Sequence, residues 1–284
     1  MSEWKEYKLG EIVTFGNGKE RPKDKGSIPV YGGNGVLDYT DKHNYDGETI
    51  IIGRVGVYCG AVYYTNNPIW VSDNALAAKP KEGNHAKFIY YYLQNLNLND
   101  FAEGSSHPLV TQRLLNSIDV RIPNNIDEQH RIASILSSLD DKIDLLNREN
   151  ATLEAMSETL FRQWFIEEAK EDWEESTIEM YANQYKESIN PQKQPTTMFW
   201  HYSIPAFDNG KKPMDEMGEE IQSSKYIIPS NCILFSKLNP HKDKRVWLIL
   251  DNVSTNAICS TEFQIVKPKE KEYLYFLYGW LTNK

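Results

Sequence analysis

Apolar positions change their period along this chain. Up to about Pro123 they come in short runs, Ile50-Ile51-Ile52, Val55 to Tyr64 and Ile69-Trp70-Val71, broken by Gly and Asn-Pro. Such runs predict strands and turns. Gly32-Gly33-Asn34-Gly35 predicts a tight turn or exposed loop. From Ala86 to Leu96 the period shifts, and Phe88, Tyr91, Tyr92 and Leu96 share one helical face. Ile118-Asp119-Val120-Arg121-Ile122 alternates as a strand does, and Pro123 stops it.

The stretch Asp127 to Glu168 contains neither Gly nor Pro. Leu136, Leu139, Ile143, Leu146, Leu153, Leu160 and Trp164 fall on alternating three- and four-residue steps, with polar Asn150 and Ser157 in the same register. This is a heptad stripe, and Asp127 is the expected N-cap. About 40 helical residues would span roughly 60 Å, more than a small domain's diameter. A long helix that pairs with another helix fits that length, and an ordinary amphipathic helix packed on its own domain is the other reading. A polar Asn150 on the stripe sets register in the first reading and marks a frayed or kinked helix in the second.

After Lys170 the pattern restarts. Trp4-Lys5-Glu6 is echoed by Trp173-Glu174-Glu175, and Gly47 to Ile52 by Ser230 to Phe235. Trp70-Val71-Ser72-Asp73-Asn74-Ala75 is echoed by Asn252-Val253-Ser254-Thr255-Asn256-Ala257. Each then leads to a Lys-Pro-Lys-Glu run and a Tyr-rich stretch. The ordered set reads as a diverged internal repeat. The expected fold class is α+β: two β-rich domains, 1–125 and 170–284, joined by a helical spacer over 126–169. Trp200 and Tyr202 are read as core residues of the second domain.

Composition is that of an ordinary globular chain, with 284 residues, 40% hydrophobic and 25% charged. No stretch approaches the roughly 20 apolar residues of a membrane span, and the start of the sequence shows no apolar signal segment. Cys59, Cys232 and Cys259 form no C-x-x-C pair, so neither a zinc site nor a disulfide framework is expected, and a cytoplasmic location is. The net charge of −9 looks wrong for a nucleic-acid binder. Most of it sits in the helix, where residues 124–171 carry 5 Lys+Arg against 11 Asp+Glu. The flanking segments are near neutral.

Several polar groups are placed for chemistry. Lys19, Arg21, Lys23 and Lys25 form a basic run that reads either as phosphate contacts or as a solvated loop. Arg54, flanked by Gly53 and Gly56, has the reach for guanine, and Asn34 suits adenine; a surface Arg by a hairpin and plain Asn-Gly turn chemistry are the bland alternatives. Ser105, Ser106 and His107 form either a DNA-facing loop or a connector. Lys237, Asn239, His241, Lys242, Lys244 and Arg245 make the densest basic cluster, between two expected strands. Catalytic signatures are weak. Asn66-Asn67-Pro68-Ile69-Trp70 lacks the second Pro of an amino-methyltransferase motif, and there is no phosphate loop or metal-ligand spacing. No catalytic residue and no metal ligand is therefore assigned.

Trp4-Lys5-x-Tyr7-x-Leu9-Gly10-Glu11-Ile12 and Gly104-Ser105-Ser106 followed by Arg113, Leu114 and Ile118 to Pro123 carry a resemblance. So do Asp127-Glu128-Gln129-x-x-Ile132-Ala133, Leu139-Asp140-Asp141-Lys142-Ile143 and Leu160-Phe161-x-x-Trp164-Phe165. Together they resemble the specificity subunits of type I restriction-modification systems. The resemblance implies two target-recognition domains that each read half of a split double-stranded DNA target. It implies a coiled-coil type spacer that binds methyltransferase subunits, with self-association through the helix possible. It assigns S-adenosylmethionine and ATP to the methyltransferase and restriction/translocase partners, and no cofactor or catalysis to this chain. It also implies an incomplete second domain, since no second Gly-Ser…Pro…Glu-Gln element follows Trp280. The competing readings are a stand-alone methyltransferase or nuclease, and a helical adaptor or non-functional truncated product.

Overall fold

The computed structural model describes residues 3–56, 58–102, 108–240 and 244–283. The chain divides into two units, Met1–Asn147 and Arg148–Lys284. The first contains β1 (Trp4–Lys8), α1 (Leu9–Ile12), β2 (Val13–Asn17), β3 (Ile28–Gly32), β4 (Gly35–Thr40), β5 (Thr49–Gly53), β6 (Val62–Thr65), β7 (Trp70–Val71) and β8 (Ala75–Pro80). It continues with α2 (Ala86–Asn95), α3 (Gln112–Ser117) and β9 (Asp119–Pro123), and α4 (Ile126–Arg162) begins there. The second contains the end of α4, then α5 (Ile178–Tyr181), β10 (Ala182–Tyr185), β11 (Ser188–Ile189), β12 (Met198–Tyr202), α6 (Ile204–Asp208) and β13 (Met214–Met217). It closes with β14 (Lys225–Ile227), β15 (Cys232–Ser236), β16 (Val246–Ile249), β17 (Ala257–Cys259), β18 (Phe263–Pro268) and α7 (Tyr273–Thr282). The mixed helix-and-sheet class with a long central helix is as the sequence predicts.

The internal repeat is real, because strand pairing reproduces it. In the first unit an antiparallel sheet runs β2-β8-β5-β6, and in the second β10-β18-β15-β16. A second sheet pairs β3 antiparallel with β4 and parallel with β7; β12 pairs antiparallel with β13 and parallel with β17. Central β5 is buried along its whole length, as the apolar run Ile50-Ile51-Ile52 requires of a strand covered on both faces.

The register of one echo is corrected. Ser72 N–H donates to the Tyr31 carbonyl, and the bond in the same place of the second unit is Ser260 N–H to the Tyr202 carbonyl. Ala75 N–H to Ser72 and Phe263 N–H to Ser260 repeat as well. Ser72 therefore matches Ser260, not Ser254, whereas Thr49 matches Cys232 as expected. Within the expected Val55–Tyr64 run, a strand forms only from Val62. Trp200 is also corrected. Strand alternation turns Phe199 and His201 inward and leaves Trp200 42% exposed. Tyr202 does pack against the core.

The β1–β9 ribbon, paired from Trp4 with Pro123 to Lys8 with Asp119, brings the chain to the start of α4. The N-cap is Asn125, whose Oδ1 accepts from Asp127 N–H at 2.8 Å. Asp127 lies one turn position inside the helix, where its charge still favours the N-terminal dipole. Gln129, Ala133 and Ser137, spaced by four, form the buried stripe of the helix in the first unit. The heptad stripe falls elsewhere. Leu136 is half-buried, Asn150 is exposed, and Leu139, Ile143, Leu146, Leu153, Leu160 and Trp164 are all exposed.

Candidate nucleic-acid interface

In the first unit three turns meet at one end of the sheets, and the reason is a set of close backbone approaches. Central β5 ends at Gly53, where a Cβ would overlap the carbonyl oxygens of Tyr58 and Gly33. Glycine thus lets the β3–β4 hairpin tip, Gly33-Asn34, lie against the loop that follows β5. Gly33 itself has room for a Cβ, at ordinary contact distances of 3.5 Å from the Asn74 carbonyl and 3.6 Å from that of Val55, which places the tip beside both turns. Exposed Asn34 is carried on this tip.

Arg54 is fixed by its backbone on both sides. Its N–H donates to Asn74 at 3.0 Å, and its carbonyl accepts from Val110 N–H at 2.9 Å. Its side chain is half-buried, and Nε is buried without a hydrogen-bond partner among the described residues. Lys19 joins the same end, bridged to Ser72, with its N–H on the Val71 carbonyl at 3.0 Å. Lys19, Asn34 and Arg54, far apart in sequence, therefore converge. Val55 bridges Leu109, so the segment after Ser105, Ser106 and His107 returns to this loop, but those three residues lie outside the described residues.

Arg21 is placed differently. It shares Asp38 on β4 with Lys25, whose bond to Asp38 is 2.8 Å. Lys25, then the Tyr39 N–H, then Arg21 hold the Asp38 carboxyl well below the usual carboxylate range.

The second unit repeats the arrangement with different side chains. The residue after β15 is Lys237, whose N–H donates to Glu262 at 2.9 Å, just as Arg54 N–H does to Asn74. Lys237 is thus the counterpart of Arg54. Its ammonium donates to the Thr261 carbonyl at 2.8 Å and lies 5.7 Å from the Tyr226 ring centre. Asn239 is exposed with φ of 49°, a left-handed turn position that Asn tolerates. Arg245 closes the base of the loop and grips Asp208 through two bonds of 2.8 and 3.0 Å, which lowers the Asp208 pKa. The Lys244 ammonium bonds the Asn283 carbonyl. Lys242 lies outside the described residues. The basic cluster is therefore divided: Lys237 and Asn239 occupy the exposed turn, while Arg245 and Lys244 brace it.

Of two buried polar groups, Gln129 belongs to the Asp127-Glu128-Gln129 motif, and His201 was not singled out from sequence. Gln129 is 1% exposed; its Oε1 accepts from His85 N–H at 2.9 Å and its Nε2 donates to the Pro123 carbonyl at 2.9 Å. It ties the starts of α2 and α4 to the end of β9, which gives the Gln of the Glu-Gln pair at the start of α4 a physical role. His201 lies in a buried cluster with Glu216, 3.2 Å away, and Lys225. Burial pushes its pKa down, against the pull of Glu216. Its place in the repeat is held by Val30, the residue beside Trp70 as His201 is beside Ile258.

Among the described residues, no cluster of three or more His, Cys, Asp or Glu could hold a metal ion, and no helix is long and apolar enough to cross a membrane. The buried thiols of Cys232 and Cys259 are each pushed up to about 12 by burial.

Comparison with known proteins agrees with this architecture. Over 140 residues the chain is 30% identical to the EcoprrI type I restriction enzyme specificity subunit of Escherichia coli, covering 49% of this chain and 35% of that protein. Over 176 residues it is 30% identical to the MjaIX type I restriction enzyme specificity subunit of Methanocaldococcus jannaschii, covering 57% and 39%. The chain thus spans well under half the length of these relatives where it matches them. The crystal structure of a type I restriction-modification system S subunit from M. genitalium shares the fold, with a TM-score of 0.63 at 17% identity over 99% of this chain and 76% of that one. The profile of the type I restriction modification DNA specificity domain matches residues 1–155, and the chain belongs to that family.

Proposed function

We propose that this chain reads a split double-stranded DNA target for a type I restriction-modification complex and carries no catalytic centre of its own. The observation that carries the reading is the repeated position of a cation: Arg54 and Lys237 follow matching central strands, each held by the same backbone bond. Lys19 and Asn34 flank the first, and Asn239 lies beside the second. Phosphate contacts from the lysines would position the duplex, and Arg54 and Asn34 are residue types whose paired polar groups would read guanine and adenine edges. The exposed stripe from Leu139 to Trp164 supports a helical interface with methyltransferase subunits or with a second helix. Methylation, S-adenosylmethionine, ATP use and cleavage belong to the methyltransferase and restriction partners in this reading, and the complex works in the cytoplasm.

The test is co-expression with a type I methyltransferase subunit from the same genome, followed by methylome sequencing. A new split methylated motif that disappears when this chain is deleted supports the proposal. An assembled complex with no new motif overturns the DNA-reading role. Methylation or cleavage by the isolated chain with cofactor and DNA overturns the non-catalytic role.

A further inference from the structure

Equivalence between the two units extends past the cation. Gly53 and Ser236 occupy one place in the repeat, paired with Ala75 and Phe263. The next residues match in turn: Arg54 with Lys237, Val55 with Leu238, and Gly56 with Asn239. The backbone keeps step to the third of them, since Gly56 has φ of 77° and Asn239 of 49°, both left-handed. The middle residue is aliphatic in both units and exposed in both, Val55 at 39% and Leu238 at 48%. Its backbone is held in both. Val55 bridges Leu109, and Leu238 N–H donates to the buried Ser236 hydroxyl at 3.1 Å. A single exposed aliphatic side chain is ordinary on a protein surface. This one recurs at the same place of a repeat whose flanking residues have changed, on a turn that leaves it uncovered beside the cation.

We propose that Val55 and Leu238 are specificity-determining residues, each making apolar contact with the 5-methyl group of a thymine at or beside the base pair that Arg54 or Lys237 faces. The inference rests on the DNA-reading role. Its chemistry follows from the major groove, where base edges present hydrogen-bond donors, acceptors and one apolar group, the thymine methyl. An aliphatic side chain offers neither donor nor acceptor. Against any other edge it strips water from a polar group and returns no bond. Reach agrees with this partner. Consecutive Cα atoms lie about 3.8 Å apart and base pairs about 3.4 Å apart along the duplex, so neighbouring residues of one turn meet the same or adjoining pairs. Each half of the target is therefore expected to hold an A·T pair at or next to the position of the cation.

The experiment uses the full chain in complex with its co-expressed methyltransferase subunit. The probes are duplexes of the methylated motif in which thymines are replaced one at a time by deoxyuridine, which lacks only the 5-methyl group. Binding is read by competition at fixed salt. In each half one replacement should weaken binding about fourfold, the worth of one buried methyl group. Val55→Ala should abolish that loss in one half and leave it in the other, Leu238→Ala should do the reverse, and Val55→Ile should retain it. Neither alanine change should alter the salt dependence, because an apolar contact releases no counterions. With DNA reading intact, the inference is overturned if in either half every deoxyuridine duplex binds like its parent, or if a half-target holds no A·T pair. Methyl dependence that survives the alanine changes overturns it as well. A complex that selects no motif overturns the DNA-reading role and this inference together.

Discussion

At Arg54 and Lys237 the backbone is held in the same way, and the side chains differ. Arginine can engage guanine O6 and N7 together, whereas lysine is a point charge. Arg54→Ala should therefore cost ~1–3 kcal/mol on a target duplex and relax discrimination in one half of it. Lys237→Ala should weaken binding more uniformly and flatten the salt dependence. Competition binding with half-site-substituted duplexes at fixed salt separates the two outcomes. His201 gives a pH prediction. Its folded pKa lies below its unfolded value of about 6.5, so the unfolded chain takes up a proton that the folded chain resists. The associated stability is present above pH ~6.5 and falls as the pH drops toward the depressed folded value. His201→Val, copying Val30, should reduce the stability difference between pH 7.5 and pH 5.5 in urea denaturation. An unchanged difference would mean that other groups, His85 among them, carry it.

The long helix is two different elements along its length. Near its start Gln129 bridges His85 and Pro123, so Gln129→Ala strands a buried N–H and a buried carbonyl. Each such loss costs ~1–3 kcal/mol, and a lower melting temperature should follow. Farther along, Leu139 and Leu146 face outward at 56% and 43% exposure. Replacing both with Glu should change thermal stability by no more than ~0.5 kcal/mol per site. It should nevertheless abolish co-purification with a co-expressed methyltransferase subunit; retained co-purification would place that interface elsewhere. The helix itself was legible because a run without Gly or Pro and with a fixed apolar period leaves a chain few other options. Its N-cap was not, because Asn125 and Asp127 are both good caps and local geometry chose between them.

Across the whole molecule, the repeat shows how sequence likeness and structural equivalence part company. The Thr49 and Cys232 segments align correctly because a central strand is constrained on both faces. The Ser254 segment misaligned because Ser, Asn and Ala recur cheaply in turns, while Ser260 has the backbone bond that defines the place. The charge distribution also gains meaning at this scale. The acidic stretch is the helix, while Lys19, Arg54 and Lys237 lie on the sheet ends. A net charge of −9 thus coexists with local basic sites.

The sequence by itself determined the long helix, the β-rich character of the flanking segments and the existence of a repeat. Each of these depends on periodicity or order over neighbouring residues, which local backbone geometry translates directly into structure. Tertiary structure alone decided which polar groups share a site. Lys19, Asn34 and Arg54 meet because the glycine at 53 allows two backbones to touch, and Arg21 and Arg245 are claimed by Asp38 and Asp208. Those outcomes depend on contacts between distant segments, and no pattern along the chain records them.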